Sequence, residues 1–289
     1  MKLFHAGEWG AGWCGFEAVA SKVPVRRVLV SHAFGGAKLA ARVELMRSLG
    51  VTDLMLDSGA FTAHTLGHPV TLPDLYATIE ATAPDVYVQL DVIGDAEATR
   101  SNLERMRADG FSPVPIFTRG APWSDLDRLL DEGETYIGLG NISLGRGTVA
   151  AMAPWLNGVF AKLRAHQVEH GGPLVRTHAF GITRSEPLLR WPFYSVDSAG
   201  VVKSSGFGCA IQENADGTIT VRSVSPSRKG GSSRQAWLNP TLTDAGADGP
   251  RYVARRIYSV GVMNRLEARL TRVWSMRGVE WPEELPRAA

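Results

Sequence analysis

The sequence contains little cysteine and no long apolar segment. Its two cysteines, Cys14 and Cys209, are far apart and cannot form a disulfide framework or a zinc site with four thiolate ligands. No stretch approaches the ~20 consecutive apolar residues of a membrane-spanning helix. The first residues, MKLFHAGEWG, also lack the cationic and apolar pattern of a secretory signal. We therefore expect a cytoplasmic protein with two free thiols and no membrane contact.

An excess of charge of one sign is also absent. Lysine and arginine number 31 against 29 aspartates and glutamates, which gives a formal net charge of +2. This balance is typical of an ordinary globular protein and does not by itself indicate a polyanionic partner. With 289 residues, 44% of them hydrophobic, the chain can bury one large core.

The sequence alternates short β-rich runs with longer stretches of helical pattern. Helices are predicted over residues 37–49, 96–108, 125–130 and 149–163. The eight predicted strands lie near residues 2–5, 28–31, 54–57, 86–91, 114–117, 136–139, 174–179 and 193–197. Eight strands with crossover helices predict the α/β class and a (β/α)₈ TIM barrel, with a doubly wound open sheet as the alternative.

The pattern changes after residue 197, and the sequence predicts a barrel core over residues 1–202 and a basic C-terminal extension over 203–289. Residues 225–234 form a predicted loop rich in serine, glycine, lysine and arginine. Residues 251–277 follow as a long predicted helix that carries seven arginines against the single acidic residue Glu267. This local concentration of arginine favours contact with nucleic acid, although a solvated helix face is the simpler explanation for such a run.

Aspartate ends three of the predicted strands. Asp57 closes the third strand, Asp91 the fourth and Asp197 the eighth. Aspartate is disfavoured within β-strands, and the carboxyl ends of barrel strands face the active site. Each aspartate alone could be a helix cap or an arginine partner, but three at equivalent positions predict an active site.

Four short motifs in order along the chain resemble those of the tRNA-guanine transglycosylases. The resemblance spans residues 54–202, about half the chain, and the block around Asp57 is its most specific part. The motifs are Asp57-Ser58-Gly59-Ala60-Phe61, Gln89-Leu90-Asp91, Gly138-Leu139-Gly140 and Ser195-Val196-Asp197-Ser198.

The resemblance implies an exchange of bases at the C1′ atom of a nucleoside. Asp197 would be the nucleophile that forms a covalent glycosyl-enzyme intermediate, and Asp57 would be the general acid and base. Asp91 would accept hydrogen bonds from the donor edge of guanine. The remaining substrate-binding residues implied are Ser58, Gly59, Phe61, Gly138, Leu139 and Gly140. The sequence alone also allows Asp57 and Asp197 to exchange roles, since both are carboxylates at the same end of the barrel.

The substrates follow from the same resemblance and from one departure. The chain cannot build the zinc site of three cysteines and one histidine that the tRNA enzymes carry. In this, and in its short tail, it is more similar to relatives from phages and bacterial modification clusters that insert 7-deazaguanines such as preQ₀ into DNA. We therefore expect DNA rather than tRNA as partner, with preQ₀ or a related free base; a homodimer stays open. The exchange breaks one glycosidic bond and makes one, so no cofactor or metal is expected.

Seven basic residues of the extension are predicted to hold phosphates of the nucleic acid. Basic side chains supply affinity for the backbone without reading base sequence. They are Arg228, Lys229, Arg234, Arg251, Arg255, Arg256 and Arg265.

Two other functions stay open from the sequence. His5, His32 and His178 fall near predicted strand ends, and histidine with carboxylate is ordinary metal-ligand chemistry, which favours a metal-dependent hydrolase. No His-x-His pair lies on the first strand, which argues against that function. A nucleic-acid-binding module without catalysis is the third hypothesis, although clustered carboxylates would repel phosphates.

Overall fold

The structure, a computed structural model, describes residues 1–7, 14–34, 38–67, 69–142, 148–182, 184–224 and 251–286. Eight parallel strands alternate with helices along the chain. The strands are β1 (Lys2–Ala6), β2 (Arg27–Ser31), β3 (Asp53–Asp57), β4 (Val86–Tyr87), β5 (Ile116–Thr118), β6 (Tyr136–Gly140), β7 (Arg176–Ala179) and β8 (Ser195–Ser198). Each of the eight predicted strands is confirmed, with ends that differ by a few residues.

The strands form one curled parallel sheet, so the chain has an α/β fold that is TIM-barrel-like. Their order is β4-β3-β2-β1-β8-β7-β6-β5, and the first strand therefore lies beside the last. The pairing of β1 with β8 joins the first and last strands of the chain. A doubly wound sheet differs, because its strand order reverses direction partway along the sheet. One parallel bridge, between Val88 and Val114, joins the segment after β4 to the segment before β5.

Helices cover the outer face of the sheet. They are α1 (Cys14–Ala20), α2 (Leu39–Ser48), α3 (Ala60–Leu66), α4 (Leu72–Thr82), α5 (Ala96–Ala108), α6 (Trp123–Asp131), α7 (Val149–His170), α8 (Ser185–Arg190), α9 (Gly200–Gly206) and α10 (Arg251–Met276). A short 3₁₀ turn occupies His32–Phe34, and β9 (Cys209–Glu213) pairs with β10 (Ile219–Ser223) as an antiparallel hairpin.

Local sequence explains several helix starts. Thr71 caps α4 because its hydroxyl accepts a hydrogen bond from the Asp74 amide, and a proline stands in the first turn. Asp95 caps α5 in the same way, through the Ala98 amide. Gly110 follows α5 with a φ of +90°, a conformation that glycine adopts without steric cost.

Strand alternation divides the apolar residues into two sets. Side chains of one set fill the space that the curled sheet encloses, and include Phe4, Leu29, Met55, Val114 and Tyr136. The other set packs between the sheet and the surrounding helices. This division follows from the two-residue repeat of a β-strand.

The C-terminal helix packs onto the same core as the strands. Its buried residues, among them Val260, Leu266 and Leu270, belong to the cluster between sheet and helices. Glu267 accepts a hydrogen bond from the Leu3 amide at 3.0 Å and pairs with Arg27. The predicted boundary at residue 202 therefore does not divide the hydrophobic core.

The chain after α10 covers the amino-terminal end of the enclosed space. The Tyr194 hydroxyl donates to the Glu284 carbonyl at 2.7 Å, and the ring of Tyr194 packs against Trp281 at 5.7 Å between centroids. Lys2 donates to the carbonyl of Glu283. Access to the enclosed space from this end is therefore blocked by protein, and the carboxyl ends of the strands hold the open face. In the described ranges, no helix combines the length and the apolar composition that crossing a bilayer requires.

Candidate active site

The three strand-end aspartates meet at the carboxyl end of the sheet. Asp57 is the last residue of β3, Asp197 lies in β8, and Asp91 follows β4 by a few residues. All three line one open cavity of about 810 Å³. The convergence expected from the sequence is thus a feature of the structure, although β4 is shorter than predicted and Asp91 lies on the connection after it.

The cavity wall is largely apolar and carries two cationic side chains. Arg42 of α2 and Lys203 of α9 line the same space as the carboxyl groups. The apolar lining consists of Phe16, Leu29, Val30, Phe34, Leu39, Met46, Phe61, Ile93, Ile116, Ile142, Phe180 and Val202, with alanines at positions 6 and 199. A concave apolar space with few polar groups is the ordinary form of a small-molecule site.

Asp57 is held in an environment that favours its protonated form. Burial raises the pKa of its carboxyl to about 7, and the nearby charges of Asp91 and Asp197 add to the rise. The Gly59 amide donates to its carboxylate at 3.1 Å, and this bond and the Ser31 hydroxyl oppose the rise only in part. A carboxyl group with this pKa exchanges a proton near neutral pH, as a general acid or base requires.

Asp91 is positioned by the helix that follows it. The Asn102 side chain of α5 donates to the Leu90 carbonyl at 3.0 Å, and the Val92 amide donates to the Thr99 hydroxyl at 2.8 Å. Burial raises the pKa of the Asp91 carboxyl to about 6, while its own amide and the Ser58 hydroxyl, which donates to it at 3.3 Å, oppose the rise. Asp91 is therefore mostly ionised at neutral pH, and an ionised carboxylate only accepts hydrogen bonds.

One oxygen of Asp197 has two nitrogen atoms close to it. The Gly181 amide donates to Oδ1 at 2.7 Å, and Nε2 of His178 lies 3.4 Å from the same atom. Only 8% of Asp197 is exposed, so few other groups can solvate its charge. The Gly181 amide therefore fixes the position of this oxygen in the cavity.

The block that follows Asp57 supplies one buried contact and one exposed ring. Ser58 is fully buried and contacts Asp91 rather than the open cavity. Gly59 has a φ of +78°, and a β-carbon there would lie 2.7 Å from the β-carbon of Ala33, so the turn requires glycine. Phe61 is 59% exposed and lines the cavity, which places an aromatic ring where a flat ligand can stack.

The Gly138-Leu139-Gly140 segment differs from the expectation that its backbone faces a ligand. The Gly138 amide already donates to the Pro115 carbonyl at 2.8 Å, and a β-carbon at Gly138 would lie 2.9 Å from the Phe180 ring. Leu139 is fully buried in the layer between sheet and helices. Gly140 alone of this segment lines the cavity, so the expectation for Gly138 and Leu139 is corrected.

The structure describes three of the seven side chains that were predicted to hold phosphates. Arg228, Lys229 and Arg234, and the side chain of Arg251, lie outside the described residues. Arg255 and Arg256 both donate to Ser205 at 3.0 Å, and Arg265 donates to Glu213 at 3.1 Å.

Arg256 is the clearest departure among these basic residues. Only 5% of it is exposed, because the helix turns this side chain into the core, where it stacks over Tyr252 at 5.0 Å. A phosphate cannot reach it without a rearrangement, which corrects the expectation for this residue. The long helix is thus a core helix with several arginines bound to the protein itself.

The histidines considered as metal ligands point in three directions. His5 lies beside Asn264 of α10, and Nδ1 of His32 lies 2.8 Å from the Thr78 hydroxyl of α4. Only His178 approaches one of the aspartates. Among the described residues, no group of three histidines, cysteines or carboxylates could hold a metal ion.

Sequence reasoning missed most of the cavity wall. Arg42, Phe34 and Lys203 lie on helices or turns after a strand, where a polar or aromatic residue has no distinctive local pattern. Asn141 had a sequence signal, because it directly follows the glycines of β6. In the structure it adopts a φ of +56°, which is uncommon outside glycine. Gly181, whose amide contacts Asp197, had no sequence signal of this kind.

No protein-family model matches the chain, and no curated protein matches it. The residues and the geometry of the cavity therefore carry the functional inference.

Proposed function

We propose that this chain is a base-exchange transglycosylase that replaces guanine in DNA with a 7-deazaguanine such as preQ₀. The observation that carries the proposal is the contrast between two carboxyl groups in one cavity. Asp57 lies half-buried next to like charges, and desolvation raises its pKa to about 7, whereas Asp197 accepts a short hydrogen bond from a backbone amide. Such a contrast separates an acid from a nucleophile.

The contrast supports one assignment of the roles that the sequence left interchangeable. Asp197, held as a carboxylate, attacks C1′ of the target nucleoside and forms the glycosyl-enzyme intermediate. Asp57, protonated near neutral pH, gives its proton to the departing guanine and then accepts one from the incoming base. In the first half the C1′–N bond to guanine breaks as the C1′–O bond to Asp197 forms, and in the second half that C1′–O bond breaks as the C1′–N bond to the incoming base forms. No redox equivalent or external energy is consumed.

Asp91 supplies the selectivity for guanine-like bases. The N1 and 2-amino groups of guanine are donors, and a carboxylate accepts from both, whereas adenine offers no matching donor pair. The rings of Phe34 and Phe61, 48% and 59% exposed, flank the cavity and offer faces for stacking. The target nucleotide must leave the duplex to reach a cavity at a strand-end face.

The proposal includes a closed (β/α)₈ barrel with a C-terminal extension. The parallel bridge between Val88 and Val114 supports closure, since it links the two strands at the edges of the sheet order. DNA is proposed over tRNA because two cysteines cannot supply the zinc site of the tRNA enzymes that the motifs resemble. Basic residues of the extension other than Arg256 are the proposed phosphate contacts.

A base-exchange assay with two polymers tests the proposal. The protein is incubated with preQ₀ and either guanine-containing duplex or single-stranded DNA, or tRNA, and the digested nucleosides are identified by mass spectrometry. A deazaguanine deoxynucleoside is expected from DNA, and it should disappear with Asp197→Asn. The exposed carboxyl of Asp131, away from the cavity, provides the control variant Asp131→Asn, which should retain activity.

Each other outcome overturns a defined part of the proposal. Incorporation only into tRNA keeps the chemistry and refutes the choice of DNA. Exchange that survives Asp197→Asn but not Asp57→Asn refutes the role assignment. The absence of exchange in all polymers refutes the transglycosylase function itself.

A further inference from the structure

A buried chain of polar side chains runs beneath Asp197 inside the space enclosed by the sheet. The Tyr136 hydroxyl lies 2.6 Å from the Ser195 hydroxyl, which lies 2.7 Å from Nδ1 of His178. The other ring nitrogen, Nε2, lies 3.4 Å from Oδ1 of Asp197. His178 and Ser195 are fully buried, and Tyr136 is almost so.

The geometry indicates which atom donates in each hydrogen bond of this series. The Nε2 atom of His178 is buried and makes no hydrogen bond in the structure, and the carboxylate oxygen is in front of it. A lone pair facing that oxygen would be repelled, so the proton belongs on Nε2, and Nδ1 then accepts from Ser195. Ser195 in turn accepts from Tyr136, which burial keeps protonated by raising its pKa.

Aromatic packing holds the imidazole ring in place. Phe4 and Phe180 contact it edge-on, with centroids 6.0 and 4.5 Å away. Phe180 fits there because Gly138 has no side chain, since a β-carbon would lie 2.9 Å from the Phe180 ring. The ring therefore has little freedom to turn its nitrogens away from Asp197.

We propose that His178 is a positioning residue that orients the Asp197 carboxylate for attack through an Nε2–H donor, with its tautomer set by Ser195 and Tyr136. The distance of 3.4 Å is long for a hydrogen bond, and such contacts shorten when substrate is bound. No proton leaves His178 in this role. The other charged groups that share the cavity with Asp197 are Asp57, Asp91, Arg42 and Lys203.

The first test is independent of catalysis. Nitrogen chemical shifts of ¹⁵N-labelled histidine report which ring nitrogen carries the proton, and His178→Gln identifies the signal among the seven histidines. We expect the Nε2–H tautomer of the neutral ring. We also expect the Nε2 shift to move in Asp197→Asn and to stay in Asp91→Asn, which removes a charge from the same cavity without contact to His178. An Nδ1–H tautomer, or an Nε2 chemical shift that is unchanged in Asp197→Asn, overturns the proposal.

The second test is kinetic and rests on the proposed base exchange. His178→Phe keeps a flat ring without a donor and should lower kcat about 100-fold, with KM for the free base changed less than about twofold. His178→Gln places an amide donor near Nε2 and should recover part of this loss. Ser195→Ala frees the tautomer and should lower kcat about tenfold.

A matched control separates positioning from packing. Thr177→Val alters the neighbouring residue of β7, which is also fully buried, and should leave kcat unchanged. If His178→Gln and His178→Phe lose equal activity, so that the amide donor recovers nothing, His178 is only a packing residue. If the wild-type protein shows no exchange on any nucleic acid, the proposed function fails, while the nitrogen shifts still decide whether His178 orients Asp197.

Discussion

Replacement of Asp57 by asparagine should stabilise the fold at high pH, although it abolishes the proposed reaction. The pKa of this carboxyl is about 7 in the folded protein and 3.8 in the reference state, so the folded state binds its proton more tightly than the unfolded state does. The stabilisation from this group is fully present below about pH 4 and is lost as pH rises through about 7. Above that, the ionised carboxylate is a buried charge that works against folding.

The magnitude follows from linkage. Each unit of pKa difference corresponds to about 1.4 kcal/mol of free energy of unfolding, so the full effect is at most ~4 kcal/mol. Between pH 5 and pH 8 the wild-type protein should lose ~2–3 kcal/mol that Asp57→Asn does not lose. A domain typically has only ~5–15 kcal/mol of stability, so this difference is large.

Urea unfolding at pH 5 and pH 8 measures the effect. The midpoint of Asp57→Asn should exceed that of the wild type by more at pH 8 than at pH 5, while the slope of free energy with urea stays constant. Asp131→Asn, which removes an exposed carboxyl, is the control and should follow the wild type. Equal pH dependence of Asp57→Asn and wild type would refute the desolvation of Asp57, and the acid role built on it would fail with it.

Three further predictions concern the same site. The kcat/KM of exchange should have a narrow bell-shaped pH profile, because Asp91 must be ionised, with a pKa of about 6, and Asp57 protonated, with a pKa of about 7. Asp91→Asn should lower kcat/KM for guanine-type bases about 100-fold, since a buried charge-assisted acceptor is lost. Gly59→Ala should lower the free energy of unfolding by about 2 kcal/mol or more, because φ is +78° and Ala33 is too close.

Each of these predictions has a control or a contrary outcome. An activity plateau from pH 5 to pH 9 would contradict the two pKa values. Unchanged base selectivity in Asp91→Asn would remove Asp91 from the recognition of guanine. For Gly59, the control is Gly50→Ala, which has a φ of +97° but no neighbour within 4 Å. A loss no larger than that of the control would mean that the contact with Ala33 relaxes freely.

Strand content and the position of the aspartates followed from the sequence, because both are local properties. Apolar runs such as Leu54–Leu56 specify a buried strand, and a charged residue directly after them must lie at its carboxyl end. In parallel strands all carboxyl ends meet at one edge, so three such residues converge whatever the details of packing. Capping residues such as Thr71 were recognisable for the same reason.

The orientation of the long basic helix did not follow from the sequence. Seven arginines against Glu267 indicated a surface for nucleic acid, but the helix packs across the core and turns Arg256 inward. Charge counted along a helix does not say which face meets the sheet, because that depends on neighbours distant in sequence. The role of Gly138 was predicted wrongly for a similar reason, since Phe180, which directly follows the neighbouring strand β7, fills its space.

The sequence by itself determined the class of fold, the end of the sheet that carries the site and the identity of its three carboxyl groups. Only the tertiary structure decided how they differ. The pKa of Asp57 depends on burial and on the carboxylates of Asp91 and Asp197, which lie on other segments. Asp197 in turn lies against the Gly181 amide and the ring of His178, which belong to β7 and the turn after it. The electrostatic environment of a carboxyl group depends on all atoms that the fold brings within a few ångströms of it, and these atoms are distant in sequence, so local sequence does not predict it.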